Sequence, residues 1–133
     1  MNESYCLTTS KEMSCTDEEI NAFVGGLSEL PTVFFCANDR MAISLLNVLR
    51  DRRLKVPEDV SIMGFDDLEM AGLVRPRLTT VRVRRDIMCQ KAVEMLLSVS
   101  ENEEDQARMK ISVYGEIVGR ESVARLNEES SSQ

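Results

Sequence analysis

Two adjacent carboxylates, Asp66 and Asp67, close the run Gly64-Phe65-Asp66-Asp67. They follow Val60-Ser61-Ile62-Met63, an apolar segment of strand type, and Leu78-Thr79-Thr80-Val81 comes after a short gap. Open α/β sheets bind small molecules at the carboxyl ends of their parallel strands. A carboxylate placed there accepts hydrogen bonds from two neighbouring hydroxyls of one ligand, a geometry suited to sugars. Asn38 follows a second apolar run, Thr32-Val33-Phe34-Phe35-Cys36-Ala37, and its amide can both donate and accept. Asn38 suits a helix cap equally well, Asp39 reads as a cap, and Asp67 as a cap or a second ligand carboxylate.

Other chemistries find little support. The chain has no histidine, so it lacks the commonest general base, and its four cysteines (Cys6, Cys15, Cys36, Cys89) include no close pair. That pattern fits free thiols in a reducing compartment, not a disulfide framework or a zinc site. Asp39, Asp66, Asp67 and Glu69 could surround a magnesium ion, but no nucleophile elbow or phosphate loop accompanies them. The chain is therefore read as a non-enzyme, with no cofactor and no metal. With 23 acidic against 16 basic side chains, the net charge is −7, which does not suit a surface that grips nucleic acid by itself. No segment reaches the ~18 apolar residues of a membrane span. The polar start Met1-Asn2-Glu3-Ser4 lacks a secretory pattern, so the expected location is the cytoplasm.

The elements that must position these residues can be read in order. A chain of 133 residues has room for one domain with a sizeable core. Tyr5-Cys6-Leu7-Thr8 is a candidate strand. Thr16 and Glu19 form a capping box, and Ile20, Phe23, Val24, Leu27 and Leu30 repeat at helical spacing up to Pro31, with Gly25-Gly26 as a weak point. The continuous apolar run from Thr32 suits a strand covered on both faces. A helix then places Met41, Ala42, Leu45, Leu46 and Leu49 on one side, with Ile43 and Asn47 turned elsewhere. A strand over 60–65, a short helix over 68–73 and an extended segment over 78–83 follow. A helix opening at Asp86 carries Met88, Ala92, Met95, Leu96 and Val99 as a core stripe. Met109, Ile111, Val113 and Ile117 alternate with polar residues as a half-exposed strand would. The fold class is α/β, a parallel sheet flanked by helices. Residues 127–133 read as a disordered tail.

Four blocks in order give a resemblance to the effector-binding part of the lactose-repressor (LacI/GalR) family of transcription regulators. They are Pro31-Thr32-Val33-Phe34-Phe35-Cys36-Ala37-Asn38-Asp39-Arg40-Met41-Ala42, Leu54 to Asp67, Pro76-Arg77-Leu78-Thr79-Thr80-Val81, and Gly119-Arg120-Glu121-Ser122. The resemblance implies a periplasmic-binding-protein-like sensor fold, here truncated, with residues 1–126 as a partial effector-binding and dimerisation domain. It implies a sugar or related small molecule as effector and a homodimer as the assembly. Operator DNA would be contacted only through an amino-terminal head that the chain does not show. Asn38, Asp66 and Arg85 match ligand-facing positions. Ile43, Leu46, Asn47, Leu73 and Val74 match the dimer interface, or else are ordinary core and surface residues. Lys11 and Glu12 could also reach the cleft.

Arg85 stands where some sugar binders carry an aromatic or other apolar residue. With Arg75, Arg77, Arg82 and Arg84 it forms either a solvated basic crossover or a partner for an anionic effector. Arg77 replaces the second proline of a frequent family pair. The alternative function is a periplasmic-type sugar-binding protein of a transport system, which shares the fold but would carry an export signal.

Overall fold

The computed structural model describes residues 15–101 and 110–125. The candidate strand at Tyr5 to Thr8, Lys11 and Glu12, and the tail from 127 lie outside the described residues. The elements run α1 (Asp17–Gly26), β1 (Val33–Phe35), α2 (Asp39–Asp51), β2 (Ser61–Met63), α3 (Glu69–Leu73), β3 (Thr80–Arg82), α4 (Arg85–Glu101) and β4 (Glu116–Val118).

Local signals account for most of these boundaries. The Thr16 hydroxyl accepts the Glu19 N–H at 3.2 Å while the Glu19 carboxylate accepts the Thr16 N–H at 2.9 Å, the reciprocal capping box that starts α1. The helix is shorter than its apolar spacing suggests. It stops at Gly26, and Leu27 is already extended, because two successive glycines lose more backbone freedom than the remaining helical bonds recover. Asn38 starts α2 by accepting the Met41 N–H at 2.9 Å. The Arg52 guanidinium at its far end reaches back to α1, donating to the Asn21 side chain at 2.8 Å and to the Asn21 carbonyl at 2.7 Å.

β1 and β2 pair in parallel, with Val33 opposite Ser61 and Phe35 opposite Met63. β3 continues the parallel order through single bridges, Met63 to Thr79 and Asp66 to Arg82. β4 then turns antiparallel to β3. Ile20 and Val24 of α1, Ala42, Leu45 and Leu49 of α2, and Val60, Ile62 and Leu78 form the buried core. Phe23 meets Phe34 edge-on at 6.4 Å, closing α1 onto β1.

Three expectations need correction. β1 is covered on one face only: Phe34 packs inward, whereas Val33 and Phe35 are 50% and 64% exposed. A continuous apolar run records what a strand can bury, and no described element covers that second face. The apolar stripe of α4 is not core among the described residues, since Met88 is 47% and Leu96 75% exposed. The alternating segment after residue 109 yields only the three-residue β4, with Ile117 largely exposed; Ile111 and Val113 face Met88 and Met95 of α4 across an open cleft of about 180 Å³.

The thiols differ in reactivity for reasons set by this packing. Burial, and then the nearby Cys15 and Asp39, push the Cys36 thiol up to about 12, while Cys89 is exposed. Thiolate is the nucleophile, so an aromatic disulfide reagent at pH 8 should modify Cys89 on the order of 100-fold faster than Cys36, read by mass spectrometry of quenched samples. Equal rates would show that the α1–β1–α2 core opens readily.

Candidate functional site

Asn38, Asp66 and Arg85 each lie three residues beyond the last residue of a strand: 35 to 38 for β1, 63 to 66 for β2 and 82 to 85 for β3. All three strands point the same way, so the three residues share one rim of the sheet, at its carboxyl ends. Main-chain bonds hold the ends in step, with the Asp39 N–H donating to the Phe65 carbonyl at 2.8 Å and the Asp66 N–H to the Val81 carbonyl at 2.9 Å.

Beneath the rim lies a polar network. Asp39 has no exposed surface; its carboxylate accepts the Thr80 hydroxyl at 2.5 Å and the Leu68 N–H at 2.7 Å. It thus fixes the backbone of Leu68, the residue just before α3, while the helix it belongs to is capped by Asn38. Gly64 permits this arrangement, because a Cβ at position 64 would collide with Asp39 Oδ1 and press on Leu78 at 3.0 Å. Asp67 is turned the other way, accepting from Arg120 Nη2 at 2.6 Å and from Arg82 Nε at 2.7 Å. Arg120 also donates to the Leu78 carbonyl at 2.7 Å. The buried Ser122 hydroxyl donates to the Ile62 carbonyl at 2.6 Å and accepts the Thr79 N–H at 2.8 Å, stitching the last described segment to β2 and the approach to β3.

Asp66 itself adopts φ 109° and Asp67 φ 51°. The first value lies in a region that L side chains rarely occupy, at a cost of about 1–3 kcal/mol. The conformation leaves the Asp66 side chain one-third exposed at the rim, and Arg85 Nη2 donates to the Asp66 main-chain oxygen at 3.0 Å. Asn38 reaches the same rim, but its Oδ1 is committed to the α2 cap. Neither the cleft beside Met88 and Met95 nor a second one beside Leu46 and Lys55 includes Asp66. The acidic residues do not converge as a metal site would require: Asp39 faces Thr80 and Asp67 faces two arginines.

Sequence reading did not find the roles of Arg120, Arg82 and Thr80. Arg120 belongs to a block already singled out, but its partner Asp67 is 53 positions away. The crossover is rigidified by a bond the missing proline would not make, the Arg77 main chain and guanidinium both donating to Glu121 at 2.8 Å.

Of the candidate subunit-contact residues, Ile43, Asn47 and Val74 are half-buried, Leu46 is buried and Leu73 is 70% exposed. Leu46 also lines an open cleft of about 230 Å³ with Arg50, Lys55 and Arg75 at the opposite end of α2 from the rim.

The Asp67 cluster should make stability pH-dependent. Burial pushes its carboxyl up, but the hydrogen bonds and charges of Arg120 and Arg82 outweigh that and hold it below the ordinary range. A carboxyl lowered in the folded state contributes stability that is complete above the unfolded value and is lost as pH falls through the folded one. Asp67→Asn should therefore cost about 2 kcal/mol at neutral pH, and the deficit should shrink below about pH 4. Urea titrations across that range measure it; a deficit that does not change with pH would refute the ion-pair account.

Residues 5–123 match the model of a family described as periplasmic binding protein-like domains. The HTH-type transcriptional repressor PurR of Vibrio atlanticus (strain LGP32) is 36% identical over 101 residues, covering 76% of this chain and 30% of that protein. The arabinose metabolism transcriptional repressor of Geobacillus stearothermophilus is 47% identical over 73 residues, 55% of this chain and 20% of the repressor. A solved LacI family transcriptional regulator from Enterococcus faecium, with bound ribose, superposes with a TM-score of 0.71 at 26% identity, covering 84% of this chain and 40% of that one. The chain thus spans about a third or less of the curated relatives it is compared with here.

Proposed function

The chain belongs to the periplasmic binding protein-like domain family, as a fragment of a LacI/GalR effector-binding domain, and we propose that its sheet rim senses a sugar or sugar derivative. One observation carries this reading. Asn38, Asp66 and Arg85 follow the carboxyl ends of three strands that run the same way, the side of a parallel sheet where such folds take their ligands. The carboxylate of Asp66 can accept hydrogen bonds from ligand hydroxyls, and the guanidinium of Arg85 stands beside it.

In this reading the parent is a cytoplasmic regulator that works as a homodimer through Ile43, Leu46, Asn47, Leu73 and Val74. Operator DNA is contacted by segments outside the 133 residues. The effector acts by binding one arrangement of the regulator more tightly than another, so that operator affinity follows the population of arrangements. The transport-protein alternative is not favoured, because the relatives named above are transcriptional repressors. For the same reason catalysis is not part of the proposal.

Calorimetric titration of the chain with a panel of pentoses, hexoses and their acids and phosphates tests the reading. The expected result is weak binding, about millimolar, by compounds with adjacent hydroxyls, since the chain spans only part of the length of its relatives and one sheet rim supplies only part of an enclosure. Absence of binding by every member of the panel, with tight binding of an apolar compound elsewhere, would refute it.

A further inference from the structure

The end of β3 and the start of α4 carry three arginines within four residues, Arg82, Arg84 and Arg85, and they are not equivalent. Arg82 is held by Asp67 at 2.7 Å and Arg84 by both carboxylate oxygens of Asp86, at 3.0 and 3.2 Å. Arg85 has no such closure. Its Nη2 donates to the Asp66 main-chain oxygen at 3.0 Å, and its Nη1 stands 3.8 Å from the Asp66 carboxylate, a loose ion pair beyond hydrogen-bond range. The Arg85 side chain is 54% exposed and that of Asp66 34%. A guanidinium has five donors in a rigid fork that matches planar or tetrahedral oxyanions. Arg85 is therefore anchored through the backbone, beside the carboxylate that accepts hydroxyls, with most of its fork turned to solvent.

We propose that the effector carries an anionic oxyacid group, a phosphate ester or a carboxylate, next to its hydroxyls, and that Arg85 selects it. The inference rests on the reading of this rim as the ligand site, and it names the class of ligand. Asp67 already lies between Arg82 and Arg120, so of the two adjacent carboxylates Asp66 is the one left to face the rim. Without Arg85 that carboxylate would repel an anion; with it, hydroxyls and anion have separate partners a few ångströms apart. The hydroxyls of a neutral sugar can also accept from Arg85, but without the charge assistance and the paired geometry of an anion that accepts two of its N–H groups at once, so the anion is favoured.

Calorimetry on the chain with ribose, ribose 5-phosphate, ribonate and inorganic phosphate tests this, the phosphate ester and the carboxylate forming separate arms. At least one of the two anionic sugars should bind about tenfold or more tightly than ribose, and inorganic phosphate more weakly than that anionic sugar. In Arg85→Gln the ratio of anionic to neutral affinity should fall to near one. In Arg84→Gln, whose arginine is closed by Asp86, the ratio should stay as in the parent chain. Equal affinity for ribose and both anions, a ratio unaffected by Arg85→Gln, or inorganic phosphate binding as tightly as the anionic sugars would each overturn the proposal. If none of the three sugars binds, the rim reading falls and this inference with it, an outcome distinct from binding without anion preference.

Discussion

Replacing Asp39 by alanine is expected to cost about 3–5 kcal/mol, a large fraction of the 5–15 kcal/mol by which small domains are stable. The carboxylate has no exposed surface and serves two donors from distant parts of the chain, the Thr80 hydroxyl and the Leu68 N–H. Alanine strands the Thr80 hydroxyl in the buried interior, takes the acceptor from the half-buried Leu68 N–H and leaves a void against Gly64. Asparagine keeps the shape and one acceptor, so Asp39→Asn should lose less than half as much. Urea unfolding of the two variants measures the difference. Similar losses for both would mean that volume, not hydrogen bonding, is what position 39 supplies.

The second large effect sits at Asp66, where stability and binding should move in opposite directions. Its φ of 109° is comfortable for glycine and not for aspartate. Asp66→Gly should therefore stabilise the chain by about 1 kcal/mol, the relieved strain less the extra entropy of an unfolded glycine. The same change removes the carboxylate proposed to accept ligand hydroxyls and should weaken binding of a sugar ligand by about 10- to 100-fold. A melting temperature that rises while affinity falls would mark the strain as maintained for the ligand. If Asp66→Gly weakened both, the backbone at 66 would be held for structural reasons alone.

The contrast between these positions explains what could be read from sequence. Thr16 with Glu19 announces α1, the spacing of Ala42, Leu45 and Leu49 announces α2, and apolar runs mark β1 and β2, because each signal is local to its element. Asp66 was legible as a strand-end carboxylate for the same reason. The network beneath it was not. Asp39 meets Thr80 across 41 positions and Asp67 meets Arg120 across 53, and nothing in local spacing announces a pair formed only once the sheet has assembled. Coverage is equally non-local: the faces of β1 and α4 have the composition of buried surfaces, yet Phe35 and Leu96 stand largely exposed. The length of α1 erred in the opposite sense, since apolar spacing through Leu30 outweighed two glycines in the reading but not in the helix.

The claim on which the rest depends is that the ligand meets the carboxyl rim of the parallel strands. Amide chemical-shift mapping of the isotope-labelled chain during titration with ribose and ribose 5-phosphate tests it most directly. Shifts should concentrate at Asn38, Asp66, Asp67 and Arg85, with little change at Leu46, Lys55 or Arg75. Shifts clustered around the cleft beside Leu46 and Lys55, with the amide of Asp66 unmoved, would contradict it.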